Sequence, residues 1–232
     1  MTTKNQILAL LKHLLERDGG LILSNDEADP HGPPFIVVKP VRHVIRTLWI
    51  DRSGVADYAR FFWAVGHAFN PMISRRGIFA EQFQIPRGLP NRWSQPGMRE
   101  AFIDLVENAV VPMLRRVEKF DDMFTIDERF RSPAYDGWLQ YEPYQMHFLA
   151  ANGRFEDAIA IYDSIKDFDR SPENPRRRTY AFVTDDLAPL LLANDKPGVA
   201  ALLHRWEQAT IQRNGLEAIY EPTPFPLELD QG

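Results

Sequence analysis

The chain contains no cysteine. Disulfides, thiolate nucleophiles, iron–sulfur clusters and sulfur-liganded structural zinc sites are therefore excluded, and the composition fits a reducing compartment. An excess of basic residues is also lacking. Lys and Arg number 27 against 32 Asp and Glu, for a net charge of −5 and a pI near 5.7, which argues against broad binding to nucleic acid or an anionic bilayer. No apolar run approaches the ~18 residues a membrane span requires. Ile7-Leu8-Ala9-Leu10-Leu11 is interrupted by Lys12, His13, Glu16 and Arg17 before it could serve as a signal h-region, so the expected location is cytoplasmic, with no membrane partner. Glycine is sparse, at 13 residues, and never falls in a Gly-x-Gly-x-x-Gly phosphate loop or a Gly-x-Ser-x-Gly nucleophile elbow. None of the six histidines sits in a metal-ligand spacing. No catalytic residue, metal or cofactor is expected.

What is present is an ordinary globular composition of 232 residues, 44% of them hydrophobic, enough for one large domain or two small ones. Ile7, Leu8, Leu11, Leu14 and Leu15 share one face of a helix over about Lys4–Glu16, stopped by Gly19-Gly20. From Leu21 to Ile85 the period changes to 2. Phe35-Ile36-Val37-Val38, the alternation of Val44, Leu48 and Ile50, the aromatic run Phe61–Phe69, and Phe79, Phe83 and Ile85 predict three or four strands. Short connectors such as Asp51-Arg52-Ser53-Gly54 and Arg75-Arg76-Gly77 make them an antiparallel meander. Apolar residues on both faces of the middle strands predict cover on both sides. Ser94 stands as an N-cap, with Pro96 in the first turn, for a long helix from Met98 to about Glu118. Pro112 inside it costs about 3 kcal/mol in a regular helix and predicts a kink or restart near Val111. After Lys119 only helical patterns occur, at roughly Asp121–Arg129, Ala134–Asn152, Arg154–Lys166, Arg177–Asn194 and Pro197–Asn214.

The fold class is thus α+β: an N-terminal helix and antiparallel sheet covered by helices (1–118), a helical hairpin region packed on it (119–215), and an extended Pro-rich tail (216–232) anchored by Tyr220 and Phe225.

One internal similarity stands out. Leu149-Ala150-Ala151-Asn152-Gly153-Arg154-Phe155-Glu156-Asp157-Ala158 and Leu191-Leu192-Ala193-Asn194-Asp195-Lys196-Pro197-Gly198-Val199-Ala200 superpose at an offset of 42 residues. Each copy is a helix ending in Ala-Asn, a tight turn, a basic residue and a second helix with a small Ala at a close crossing. The first copy, with Ile159-Ala160-Ile161-Tyr162 following it, resembles the inter-helix turn of a tetratricopeptide-type repeat over about residues 135–164, and the second more loosely over 177–212. The resemblance implies a surface for proteins or peptides. A plain helical bundle with Ala at its crossings fits the same residues.

Arg46 is the oddest residue, because it alternates with Val44, Leu48 and Ile50 and so aims at an apolar layer. A guanidinium cannot lose its charge. It needs a carboxylate from the covering helix, several carbonyls, a route by which its stem reaches the sheet edge, or an incoming anion. His43 and Asp51 fall on one face of the same strand, and His67 shares its face with Trp63; with Glu81, these histidines are the only constellation for acid–base work. Arg176, Arg177 and Arg178 open a helix against its dipole, which suits an acidic protein partner or a solvated surface.

The functional expectation is a non-enzymatic protein-binding module of adaptor, regulatory or toxin-neutralising type, bacterial in character, acting through its helical half. The alternative is a small-ligand binder or enzyme with a pocket between sheet and helices, lined by His43, Arg46, Trp49, Trp63 and His67.

Overall fold

A computed structural model describes residues 3–24, 34–52, 55, 57–71, 79–83, 91–126, 128–130, 140–167 and 180–229. By internal packing the chain divides into two units. The first takes Met1–His67, Ile73–Ser132 and Asn214–Glu221; the second takes Ala68–Met72, Pro133–Arg213 and Pro222–Gly232. The segments 119–132 and 214–221 therefore cluster with the sheet.

The first unit opens with α1 (Lys4–Arg17), started by a capping box in which the Thr3 hydroxyl accepts from Gln6 N–H and the Gln6 side chain accepts from Thr3 N–H. Its Ile7, Leu10, Leu11 and Leu14 are buried. Five strands follow: β1 (Leu21–Ser24), β2 (Phe35–Val38), β3 (Val44–Arg52), β4 (Ala59–His67) and β5 (Phe79–Phe83). They pair antiparallel in chain order, the expected meander. β1 is an addition to the expected set; Leu21-Ile22-Leu23-Ser24 is four residues long and lacks the proline-bounded β-branched run that marked β2. β4 ends at His67, short of the expected Phe69. The turns at Ser53-Gly54 and Arg75-Arg76-Gly77, and Ile85, lie outside the described residues.

Register sorts the side chains, since directly paired residues share a face. Val44, Arg46, Leu48 and Ile50 stand opposite His67, Val65, Trp63 and Phe61. Glu81 and Phe83 extend that face on β5, and Ile36 extends it on β2. It is covered by a helical stretch that runs from Met98 to Arg116. There α2 (Met98–Leu105) brings the Phe102 ring to 4.3 Å from that of Phe61. Burying each such ring stabilises the unit by about 1.5–3 kcal/mol. The opposite face is buried as well at Ile45, Thr47 and Ala64.

The break expected at Pro112 takes a definite form. A π-helical turn over Val106–Val110 leads into α3 (Val111–Arg116), and Val111 N–H bonds the Val106 carbonyl five residues back. The wider turn makes room for the proline ring and absorbs its missing donor. Ser94 is not the N-cap. Its N–H and hydroxyl both bond Asp57, and the cap is Gly97 in the left-handed region at φ 79, with Pro96 before the helix. The segment expected as one helix over Asp121–Arg129 breaks into α4 (Phe120–Met123) and a 3-10 turn at Glu128–Phe130. There the Thr125 hydroxyl donates to the Asp122 carbonyl, a local bond that competes with helix propagation.

In the second unit α5 (Glu142–Ala151) and α6 (Phe155–Ile165) form a hairpin. A π-helical turn at Phe182–Leu187, α7 (Ala188–Leu192) and α8 (Lys196–Arg213) form the next pair. This π turn again stands just before a proline, Pro189. The expected beginnings of these segments at Ala134 and Arg177 lie outside the described residues.

Both hairpin turns are Schellman motifs. Gly153 and Arg154 donate to the carbonyls of Ala150 and Leu149, and Asn194 and Asp195 donate to those of Leu191 and Leu190. Gly153 (φ 72) and Asn194 (φ 52) occupy the left-handed position. The backbones thus superpose at an offset of 41, one less than the side-chain identities suggest, because the αL residue rather than the Asn sets the register.

The tail is less extended than its prolines imply. Glu217–Ile219 is a 3-10 turn, and Tyr220 bridges to Val41 within the first unit. In the second unit Phe225 is buried edge-on to Phe69, and α9 (Pro226–Leu229) follows.

Two measurements check this packing. β4 is paired on both sides, so its amides from Trp63 to Val65 should exchange at close to the global unfolding rate; rapid exchange there would contradict the interior placement. Ala158 is fully buried in α6, so Ala158→Trp should cost about 1–3 kcal/mol or more of stability and lower the denaturant midpoint accordingly; an unchanged midpoint would remove the close crossing.

Candidate functional site

Arg46 is buried, at 5% exposure, on the apolar face of β3. Its Nη2 donates to the Pro40 carbonyl, and among the described residues that is its one hydrogen bond; Nε is shut from solvent without an acceptor. A guanidinium has five N–H donors and keeps its charge at any ordinary pH, so a single carbonyl leaves it under-compensated. Burial pulls its pKa below the usual guanidinium range; Glu118 pushes it back up, and Arg42 and Arg115 lower it further.

The surroundings are assembled from three parts of the first unit. Pro40 and Arg42 come from the β2–β3 connection, Val44 and Arg46 from β3, and Glu118 from just beyond α3. Together they line a small cavity of about 20 Å³, room for little more than one water-sized atom. The neighbouring arginines are already engaged: Arg42 with Glu221 at 3.1 Å and Arg115 with Asp18 at 2.7 Å. Burial alone would raise the Asp18 pKa, but the hydrogen bonds from Arg115 and Gly20 N–H outweigh it and hold the carboxyl below its usual range. Glu118 is exposed, and its carboxylate forms no ion pair with Arg46. Among the described residues no carboxylate contacts Arg46 directly.

Comparison with protein-family models, curated proteins and solved structures returns no match.

The residues singled out from the sequence separate in space. Arg46, Trp63 and His67 share one face, with His67 opposite Val44 and Trp63 opposite Leu48. All three are buried, and Trp63 Nε1 donates to the Phe130 carbonyl at 3.1 Å, a packing role. Trp49 lies on the opposite face, stacked on Phe62 at 5.1 Å. His43 is not on the strand at all; it sits in the bend that precedes β3, so it shares no strand face with Asp51, which pairs with Arg60 at 2.7 Å. Glu81 is buried opposite Trp63. Of the five candidates only Arg46 lines the cavity. Arg176, Arg177 and Arg178 lie outside the described residues.

An open groove of about 520 Å³ between α1 and α2 is larger. Cations and carboxylates line it together, and Arg17 pairs with Glu107 at 3.0 Å, so its charges answer one another. Among the described residues no three His, Asp or Glu side chains gather as a metal site, and no described helix is long and apolar enough to cross a membrane.

Sequence reasoning missed Glu118 as an individual, although a carboxylate from the covering helix was one of the partners Arg46 called for. It also missed His147, whose one signal is a polar residue inside the apolar run Tyr144–Ala151. His147 is fully buried in α5, its ring 5.3 Å from that of Trp206, and neither ring nitrogen has a hydrogen bond. Burial pushes its pKa from 6.5 down to about 3. The unfolded chain therefore takes up a proton near pH 6.5 that the folded unit refuses. This contribution to stability is complete above pH 6.5 and is lost as pH falls toward 3, by about 1.4 kcal/mol per pH unit. His147→Leu should flatten the stability curve between pH 6.5 and 4 relative to wild type; parallel curves would contradict a buried neutral imidazole.

Proposed function

We propose that the protein is a non-enzymatic binding protein whose first unit receives an anionic group at Arg46. The observation that supports this reading is a buried, permanently charged guanidinium with one carbonyl as its sole hydrogen-bond partner among the described residues. Structural ion pairs bury charge in mutual contact. Here the carboxylate that lines the cavity, Glu118, stays out of contact, and the cavity beside Arg46 has room for about one ligand oxygen. A binding role, rather than catalysis, follows from the cavity lining: Pro40, Arg42, Val44 and Arg46 offer no nucleophile, and Glu118 is the one acid–base group.

A second reading concerns the second unit, where successive hairpins with the same Schellman turn favour a protein-docking surface of the kind the tetratricopeptide resemblance implies. An adaptor or regulatory protein in the cytoplasm would use both features, one for an anion and the other for a partner chain.

Thermal melts of wild type and Arg46→Met with and without phosphate, sulfate and acetate test the anion reading. Because Glu118 is exposed, Arg46→Met strands no buried carboxylate and should keep or raise Tm. It should also lose the stabilisation that a bound anion gives wild type, about 2.7 kcal/mol at a hundredfold excess over Kd. A collapse in Tm for Arg46→Met, together with no anion effect in wild type, would make Arg46 a structural residue and leave the protein-docking reading ahead.

A further inference from the structure

Resting on the anion reading of Arg46, we infer that the ligand is a phosphate dianion, free or at the end of a monoester, and that Glu118 guards the site as an internal counter-charge which the ligand displaces. Two guanidinium groups, of Arg42 and Arg46, line the cavity. Arg42 is offset by Glu221 at 3.1 Å, and Arg46 has no direct ion pair among the described residues. A carboxylate is already present at the rim in Glu118, and it leaves the Arg46 donors unfilled. A phosphate presents more acceptor oxygens and a second charge, and Arg forks match its geometry.

The cavity of about 20 Å³ holds little more than one water-sized atom, so a single phosphate oxygen enters to meet Arg46, and the rest of the group, with any ester substituent, stays outside beside exposed Glu118. Glu118 follows the last turn of α3, and its exposed side chain is free to swing into solvent at little cost. Glu118 lines the cavity, so its negative charge opposes an entering anion at short range. When the cavity holds no anion, the same charge offsets Arg46 from beyond contact distance. The carboxylate thus sets the threshold at which phosphate is taken up.

Titration calorimetry at low ionic strength with inorganic phosphate and with methyl phosphate, on wild type, Glu118→Gln and Arg46→Met, tests this. Glu118→Gln should bind phosphate about five- to tenfold more tightly than wild type, and Arg46→Met should bind neither probe. Equal affinity for the two probes identifies a terminal monoester as an admissible ligand; binding of inorganic phosphate alone restricts the site to the free ion. Phosphate bound by wild type with the same affinity in Glu118→Gln overturns the guarding role and leaves the Arg46 reading intact. No binding in either wild type or Glu118→Gln, or binding that persists in Arg46→Met, overturns both.

Discussion

The nine-pair ladder between β3 and β4 decides which side chains of the first unit go inward. Period-2 geometry leaves no intermediate choice: with Val44, Leu48 and Ile50 facing the helical layer, Arg46 must face it too, and a slip of one residue would expose the whole apolar set. The apolar residues outweigh the single charge, so the register that buries them traps the guanidinium. Everything distinctive about the corner follows from that. The Pro40 carbonyl takes one donor, Glu118 contributes charge from a distance, and the neighbouring arginines are held by Asp18 and Glu221.

A second constraint, that every backbone donor and acceptor must find a partner, shapes the helices. Pro112 and Pro189 each follow a π-helical turn whose i to i−5 bonds re-route the ladder around the missing donor. At Gly153 and Asn194 the helix-end carbonyls are satisfied by an αL residue and the one after it. These are local solutions to a local need, so they recur wherever the same residue chemistry appears. The burial of His147 has no such local origin; it results from helices that approach α5 from distant positions in the chain.

That distinction explains what could be read from the sequence. α1 and the antiparallel meander were legible because a periodic apolar face leaves a signal within a dozen residues, and the inward aim of Arg46 was legible from three neighbours on one strand. β1 is as short as β2 but lacks the β-branched, proline-bounded run that marked Phe35–Val38. Ser94 looked like a cap, but its N–H and hydroxyl are taken by Asp57, 37 positions away, and Gly97 stands at the helix start. The hairpin repeat was visible, but its register was read from matching Asn residues when backbone conformation fixes it one residue differently. Trp49 is out of phase with Arg46, so period 2 already put it on the opposite face, whereas the exclusion of His43 depends on where β3 begins. Glu118 and the cavity required the β2–β3 connection and the end of α3 to be placed together in space.

The central claim is that the buried Arg46 guanidinium keeps donors in reserve for an anion. Nitrogen-edited NMR of the arginine side chains observes this directly. The Arg46 Nε–H resonance, identified by its absence in Arg46→Met, should be protected from solvent exchange in phosphate-free buffer. On titration with phosphate it should shift saturably, with larger displacement than the Arg115 resonance, whose partner is Asp18. An Arg46 resonance that stays in place throughout the titration would contradict the account.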